Sequence, residues 1–490
     1  MYHSHALRLF VFCLVAGVAL VCPFASSGPA EPPAKTASER SLYHADSAHL
    51  WNRLHEALFV RVGPDGRAYG RDRLEPLLWY GSKHLLEGES HKRAVALLEE
   101  FLKDKGEKPV EDPVKRAVLQ RDLWLVFDWL EGDHGHFYEP ELKPEEVRAA
   151  RNRLRRPLAA VIGRLALTPD QVKKLPDNYA AAVASGAFPK KFDPEHPDQP
   201  YLPADLFAAD GPWVSVGRPD GPVAPEHLRD GGTNLFTNSA FLVFLKLPAG
   251  RAATIDYLKR LQAFDQPLRI EAKAAGNPSE KFLPNPKLPQ FPAGTEVALV
   301  RLALVIASSH APVPTTLTES VQLRVYREVP EMTEQNVRAA VKASANTTAT
   351  DKRVEARQSF QEFQLSRERL FAGRAGGLRA VGPDERDFHT PFFSWMLDEF
   401  ENSEYRSPRP PEQPFFERNS SIIKKECFQC HSLPGAASFN SYFNFRANVN
   451  DAVARPFSLS ESPVSEVAGA AVKRKAGRPN WTALRKLLAE

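Results

Sequence analysis

Cysteine and methionine are scarce in this 490-residue chain, with four of the first and three of the second. Cys13 and Cys22 fall within the first 27 residues, so only Cys427 and Cys430 remain downstream. Two cysteines three positions apart exclude a disulfide framework as the source of stability. No P-loop, G-x-S-x-G, H-E-x-x-H or dinucleotide fingerprint occurs, which removes the common nucleotide-binding, serine-hydrolase and zinc-protease readings. No fixed-period repeat is present, which excludes a solenoid or propeller read from repeats. Lys and Arg number 64 against 60 Asp and Glu, a net charge of +4. So even a balance gives no electrostatic reason to expect nucleic acid as a partner. Beyond the N-terminus no apolar run is long enough to cross a bilayer.

The N-terminus has the layout of an export signal. Arg8 precedes an apolar run from Leu9 to Val21, and Ala25-Ser26-Ser27 offers small residues for cleavage. Residues 1–27 are therefore expected to be a signal peptide, and the mature protein to be periplasmic or secreted. Membrane association is expected only if that segment is retained as an anchor. Cys22 is a poor lipoprotein cysteine, because Val21 stands where a small residue belongs. Residues 28–40, with Pro29, Pro32 and Pro33, read as a linker.

The stretch KKECFQCHS, Lys424 to Ser432, concentrates the remaining chemistry in a C-x-x-C-H spacing of Cys427, Cys430 and His431. Two thiols and an imidazole this close suit covalent haem, zinc or a redox disulfide. A structural zinc needs about four protein ligands, and no second C-x-x-C pair supplies them. A thioredoxin-like dithiol follows a strand and starts a helix, whereas PFFERNSSIIKKE is a poor central strand. Covalent haem fits the order of the residues. Each thiol can add to one vinyl group of the porphyrin, and the adjacent histidine then reaches the iron. Through these three residues the sequence resembles the c-type cytochromes. The resemblance implies one covalent haem c tethered by Cys427 and Cys430, with His431 as proximal iron ligand. It covers the motif and the secretory context, not a whole domain. Thirteen aromatic residues lie in the 58 positions from Phe388 to Phe445, roughly twice the 10% share of the whole chain. They suit a flat apolar plate, and equally the core of a small domain.

The small soluble cytochromes c place a methionine ligand downstream of the motif. Here the 59 residues after His431 contain neither methionine nor histidine. The sixth ligand is then upstream, or the distal side is open. In RDFHTPFFSWMLDEF, Thr390 can cap a helix with Pro391 in its first turn. Phe392, Met396 and Phe400 would share one face, with His389 at the helix entrance. His389 and Met396 are the candidate distal ligands; Lys473, Lys475 and Tyr442 are weaker ones.

The expected fold is α+β and predominantly α-helical. Residues 41–189 carry apolar residues at helical spacing and read as a helical domain. Residues 190–330 are rich in Pro and read as an α+β domain with a small antiparallel sheet. Within it, AFLVFLKLP reads as a buried strand and RAATIDYLKRLQAF as a helix. In ESVQLRVYRE, Val321, Leu323 and Val325 should face inward, and Gln322, Arg324 and Tyr326 outward. Residues 333–490 read as a helical, haem-bearing region, with RQSFQEFQLSRERLF helical and NWTALRKLLAE a short helix capped by Asn480. The H-x-H of His134 and His136 reads as a surface loop, and His44, His49 and His55 as solvated or half-buried.

The expected function is electron transfer by an exported monohaem protein, with a protein redox partner. Whether the chain is an enzyme stays open. A haem enzyme or small-ligand sensor with an open distal site is one alternative. A secreted binding protein without cofactor is another.

Overall fold

Apolar residues at three- and four-residue spacing build the first layer of the structure. The computed structural model describes residues 41–62, 68–73, 84–131, 144–218, 221–224, 226–228, 238–265, 268–271, 281–345, 357–382, 385, 431, 435–439 and 459–490. In the first part of the chain, helices α1 (Leu50–Phe59), α2 (Gly88–Lys103), α3 (Pro113–Glu131) and α4 (Pro144–Arg164) pack together. Two short helices follow, α5 (Pro169–Lys173) and α6 (Asn178–Ala184). A small ribbon pairs β1 (Arg61–Val62) with β2 (Ala68–Tyr69). The α5 helix is closed by a capping box, in which Thr168 and Gln171 each bond the other's backbone.

Helix α3 is buried from Ala117 to Leu130, so its polar residues need protein partners. Each one has them. Gln120 bonds Ile306 at both ends of its amide, accepting from N–H at 2.8 Å and donating to C=O at 2.9 Å. Arg121 pairs with Glu319, Asp122 receives Arg367 at 2.8 Å, and Asp128 receives Lys475. The buried stretch of α3 is thus tied to four other parts of the chain.

The second layer is one antiparallel sheet. Its strands are β3 (Val214–Gly217), β4 (Ser239–Lys246), β7 (Thr295–Ile306), β8 (Pro312–Tyr326), β9 (Gln358–Leu365), β10 (Leu378–Ala380) and β11 (Ser460–Glu461), in the order β10-β9-β8-β7-β4-β3-β11. A separate ribbon pairs β5 (Leu268–Glu271) with β6 (Lys281–Pro284). One face of the sheet, with Leu242, Phe244, Val300, Leu323 and Phe363, packs into the core shared with α1 to α4. The helices Val464–Ala476 and Pro479–Ala489 add Ala468, Ala471, Trp481 and Leu484 to that core. The opposite face carries a second core, where Val243, Leu245, Val297 and Tyr326 meet Tyr257, Leu258 and Leu261 of α7 (Arg251–Gln262). Among the described residues, no helix is long and apolar enough to cross a membrane.

This architecture corrects the expectation of a predominantly helical chain with a small middle sheet. The sheet has seven strands, and it draws them from Val214 to Glu461, well into the region read as helical. RQSFQEFQLSRERLF is not a helix. Gln358–Leu365 is β9, and helix occupies only Arg367–Phe371. Phe360 and Phe363 are three apart, which suits one helix face, whereas Phe363 and Leu365 are two apart, which suits one strand face, so packing decides. Burying Phe363 and Leu365 contributes roughly 1.5–3 kcal/mol each. Helix propensities of ordinary residues differ by at most ~0.7 kcal/mol. Edge strand β11 is two residues long and pairs with β3 some 240 positions earlier, a contact no local periodicity announces. The last helix starts at Pro479, not at an Asn480 cap. Its N-cap position is Arg478, and the fixed φ of proline suits the first turn.

Val321, Leu323 and Val325 face the helical layer as expected. Of their neighbours, Gln322 is half-buried, but Arg324 and Tyr326 do not face water. Arg324 is 6% exposed and Tyr326 fully buried. What covers them is the turn that follows the C-x-x-C-H motif.

Candidate haem site

That turn, Gly435–Ser438, is seated on β8 by a relay of hydrogen bonds. Arg324 Nη1 donates to Tyr326 Oη at 2.6 Å, and the tyrosine hydroxyl meets Ser438 Oγ at 2.7 Å. Ser438 Oγ donates in turn to the Gly435 carbonyl at 2.8 Å. Arg324 Nη1 also donates to the Ser438 carbonyl at 3.0 Å. From the side, Gln290 Oε1 accepts the Ala436 N–H at 2.8 Å. Gly435 has φ +50°, and a Cβ there would collide with Gln290 Oε1 and stand 2.9 Å from Val329 Cγ1. Only glycine fits that position without displacement. Ala436, Ala437 and Phe439 complete the anchor by entering the second core beside Phe291 and Tyr326.

The anchored turn sets the chemistry of His431. His431 Nδ1 lies 3.0 Å from the Ser438 carbonyl oxygen. A carbonyl only accepts, so Nδ1 carries the proton and Nε2 keeps its lone pair. Burial is the main force pushing the imidazole pKa well below its ordinary value. The charge of Arg324 acts in the same sense, the bond to Ser438 opposes it, and His227 adds a smaller depression. The ring is therefore neutral near pH 7, the form in which histidine binds a metal. A backbone carbonyl on Nδ1–H is also the kind of outer partner that orients a ligating imidazole. This donor set, with two thiols within four positions in sequence, fits a haem c.

The other residues singled out from the sequence divide into three groups. Cys427, Cys430, His389, Met396, Tyr442, His134 and His136 lie outside the described residues. Lys475 is buried and joined to Asp128 on the helical side of the sheet, so its ammonium is already engaged; Lys473 is exposed on the same helix. His49 caps α1, its Nδ1 accepting the Trp51 N–H at 3.2 Å, and its ring stacks on His44. His55 is more enclosed than the sequence reading had it: 2% exposed, with its ring parallel to Phe59. Among the described residues, no group of three or more His, Cys, Asp or Glu side chains gathers as a metal-ion site.

One residue near the site carried no signal in the sequence. His227 sits in the short turn Glu226–Leu228, within GRPDGPVAPEHLRDGG, a stretch that reads only as loop. Compared with known proteins, the chain matches no family model, no curated protein and no solved structure.

Proposed function

We propose that the chain is an exported monohaem c-type electron carrier. Cys427 and Cys430 tether the porphyrin through thioethers, and His431 Nε2 is the proximal ligand. When bound, haem c supplies a one-electron iron couple. The observation that carries this reading is the His431–Ser438 bond, which puts the proton on Nδ1 and leaves the Nε2 lone pair, while burial keeps the ring neutral. Arg324 bonds the Ser438 carbonyl and Tyr326 meets its hydroxyl, and together they hold the residue that orients the imidazole. The hydrogen bond from Nδ1–H raises the basicity of the ligand. The buried apolar residues around Ala436 and Phe439 keep water from the anchor. A protein redox partner accepts or delivers the electron, and the near-neutral charge favours no nucleic acid.

The test is export of the full chain from cells carrying c-type maturation machinery. A haem stain that survives a denaturing gel, a mass increase of one haem, and loss of both in Cys427→Ala/Cys430→Ala are expected. A colourless chain with the mass of its amino acids alone overturns the reading.

A further inference from the structure

The chain enters its compact part through a clasp closed by two histidines. The clasp, residues 41–49, leads into α1, which is capped at His49. His49 Nδ1 accepts the Trp51 N–H at 3.2 Å, and His44 Nδ1 accepts the Asp46 N–H at 3.1 Å. A backbone N–H only donates, so each Nδ1 is bare and each ring carries its proton on Nε2. The two rings stack with centroids 4.2 Å apart and planes 19° apart. His44 is exposed and His49 half-buried, so solvent protons reach both.

The rest of the clasp ties this pair to the helical layer. Asn52 of α1 accepts the Tyr43 N–H at 2.8 Å. Its amide donates to the His44 carbonyl at 2.8 Å and to the Asp46 carbonyl at 2.7 Å. Lys115 of α3 donates to the Tyr43 carbonyl at 2.8 Å. With its backbone held at both ends, Tyr43 lays a buried ring against Trp51, His55 and Phe371.

Each closing bond fails when its ring takes a second proton. Imidazolium donates from both nitrogens and has no lone pair left for an N–H. Two charged rings in stacking contact also repel. A charged His49 opposes the dipole of α1, whose first turn holds no acidic residue. Burial first, then the His44 ring, hold the His49 pKa below the ordinary 6.5; Lys115 of α3 acts in the same sense, and Asp46 opposes it. On α1, Arg53 is engaged by Glu100 of α2. Behind Tyr43 lie Asp122 of α3 and Arg367, which pair with each other.

We propose that His44 and His49 are a proton-operated latch: neutral, they close residues 41–49 onto α1 and α3, and protonated, they release this segment and withdraw Tyr43 from Trp51, His55 and Phe371. The inference stands apart from the haem reading, because it uses no residue of the C-x-x-C-H motif. The sign follows from the bonds. His49 binds a proton less readily in the closed clasp than in the open one. Closure is therefore complete above pH 6.5 and is lost as pH falls below it, by up to about tenfold per pH unit for each proton taken up.

The experiment is hydrogen exchange on the full chain, read by mass spectrometry and corrected for the intrinsic pH dependence of exchange. Between pH 7 and pH 5 the Asp46 and Trp51 amides should lose protection by about tenfold or more, while the amides of α3 stay protected. Asparagine accepts a backbone N–H at both places, as an N-cap and in an Asx turn, at any pH in this range. His44→Asn/His49→Asn should therefore keep its protection at pH 5. His44→Ala/His49→Ala should lack it at both pH values. Wild-type clasp amides that stay protected at pH 5 overturn the proposal, as does a double asparagine variant that opens as wild type does. If that variant does not fold, the wild-type series decides: opening ahead of α3 supports the latch, and opening in step with α3 overturns it.

Discussion

Lys475 donates to the Asp128 carboxylate with both side chains at most 1% exposed and the ammonium 4.7 Å from the centre of the Trp124 ring. Burial pushes the carboxyl pKa up and the ammonium pKa down, in each case as the leading cause. Neither charge would be tolerated here alone, so the pair makes the docking of Val464–Ala476 onto α3 conditional on both partners.

Lys475→Met should therefore cost about 3–5 kcal/mol, because it leaves a buried carboxylate uncompensated. The double variant Lys475→Met/Asp128→Leu should recover most of that loss. Chemical denaturation followed by the fluorescence of the seven tryptophans measures both. A single variant within about 1 kcal/mol of wild type, the range of an exposed pair, would show that the contact does not tie the helix down.

Gly435→Ala places a methyl group against Gln290 and Val329 at a left-handed backbone position. It should destabilise the protein by at least about 1 kcal/mol. It should also lower the ratio of covalent haem to exported protein, because the turn that orients His431 is displaced. Unchanged stability and unchanged loading would place the turn outside the anchor.

Arg324 and Tyr326 should differ in weight. Arg324→Gln removes a charged donor from two bonds and should cost about 1.5–3 kcal/mol, while Tyr326→Phe removes a neutral hydroxyl and should cost about 0.5–1.5 kcal/mol. Denaturant midpoints at constant slope give the comparison. The reverse order would mean that the tyrosine, not the arginine, holds Ser438.

Stability should fall on mild acidification. Burial first, then the charges of Arg367 and Arg71, hold the His55 pKa well below the ordinary 6.5. Burial and Arg61 do the same to His84, and the Ala57 backbone carbonyl, as acceptor, opposes them. Both rings are neutral when folded and take protons when unfolded. Their contribution is complete above pH 6.5 and is lost as pH falls below it, at up to ~1.4 kcal/mol per unit for each ring. The unfolding temperature should drop between pH 7 and pH 5, and His55→Gln should flatten the slope. A variant with the wild-type slope would sink this assignment.

The sequence was legible where one period dominated. β4, α7 and the first four helices lie where their apolar spacing put them. It misled where two periods overlapped, as across Phe360, Phe363 and Leu365, and where a partner lay far away, as at β11. At β8 the alternation was right, but the fate of one side was not. Arg324 and Tyr326 looked solvent-facing because nothing local reveals that the Gly435–Ser438 turn lies over them. The motif itself announced His431. What fixes its tautomer is Ser438, seven positions on, and the supports of Ser438 on β8 sit up to 107 positions from His431 and could not be read in advance.

Strands β10 and β11 are the two margins of the sheet, roughly 29 Å apart for six spacings of about 4.8 Å, and His431 falls between them in sequence. Synthesis makes the chain from its first residues onward, so β3 through β10 can pair while β11 and the two helices after it are still to come. The sheet therefore gains its last margin only when the C-terminal end of the chain arrives, and pulse-labelled protein should become resistant to protease only after that end is made.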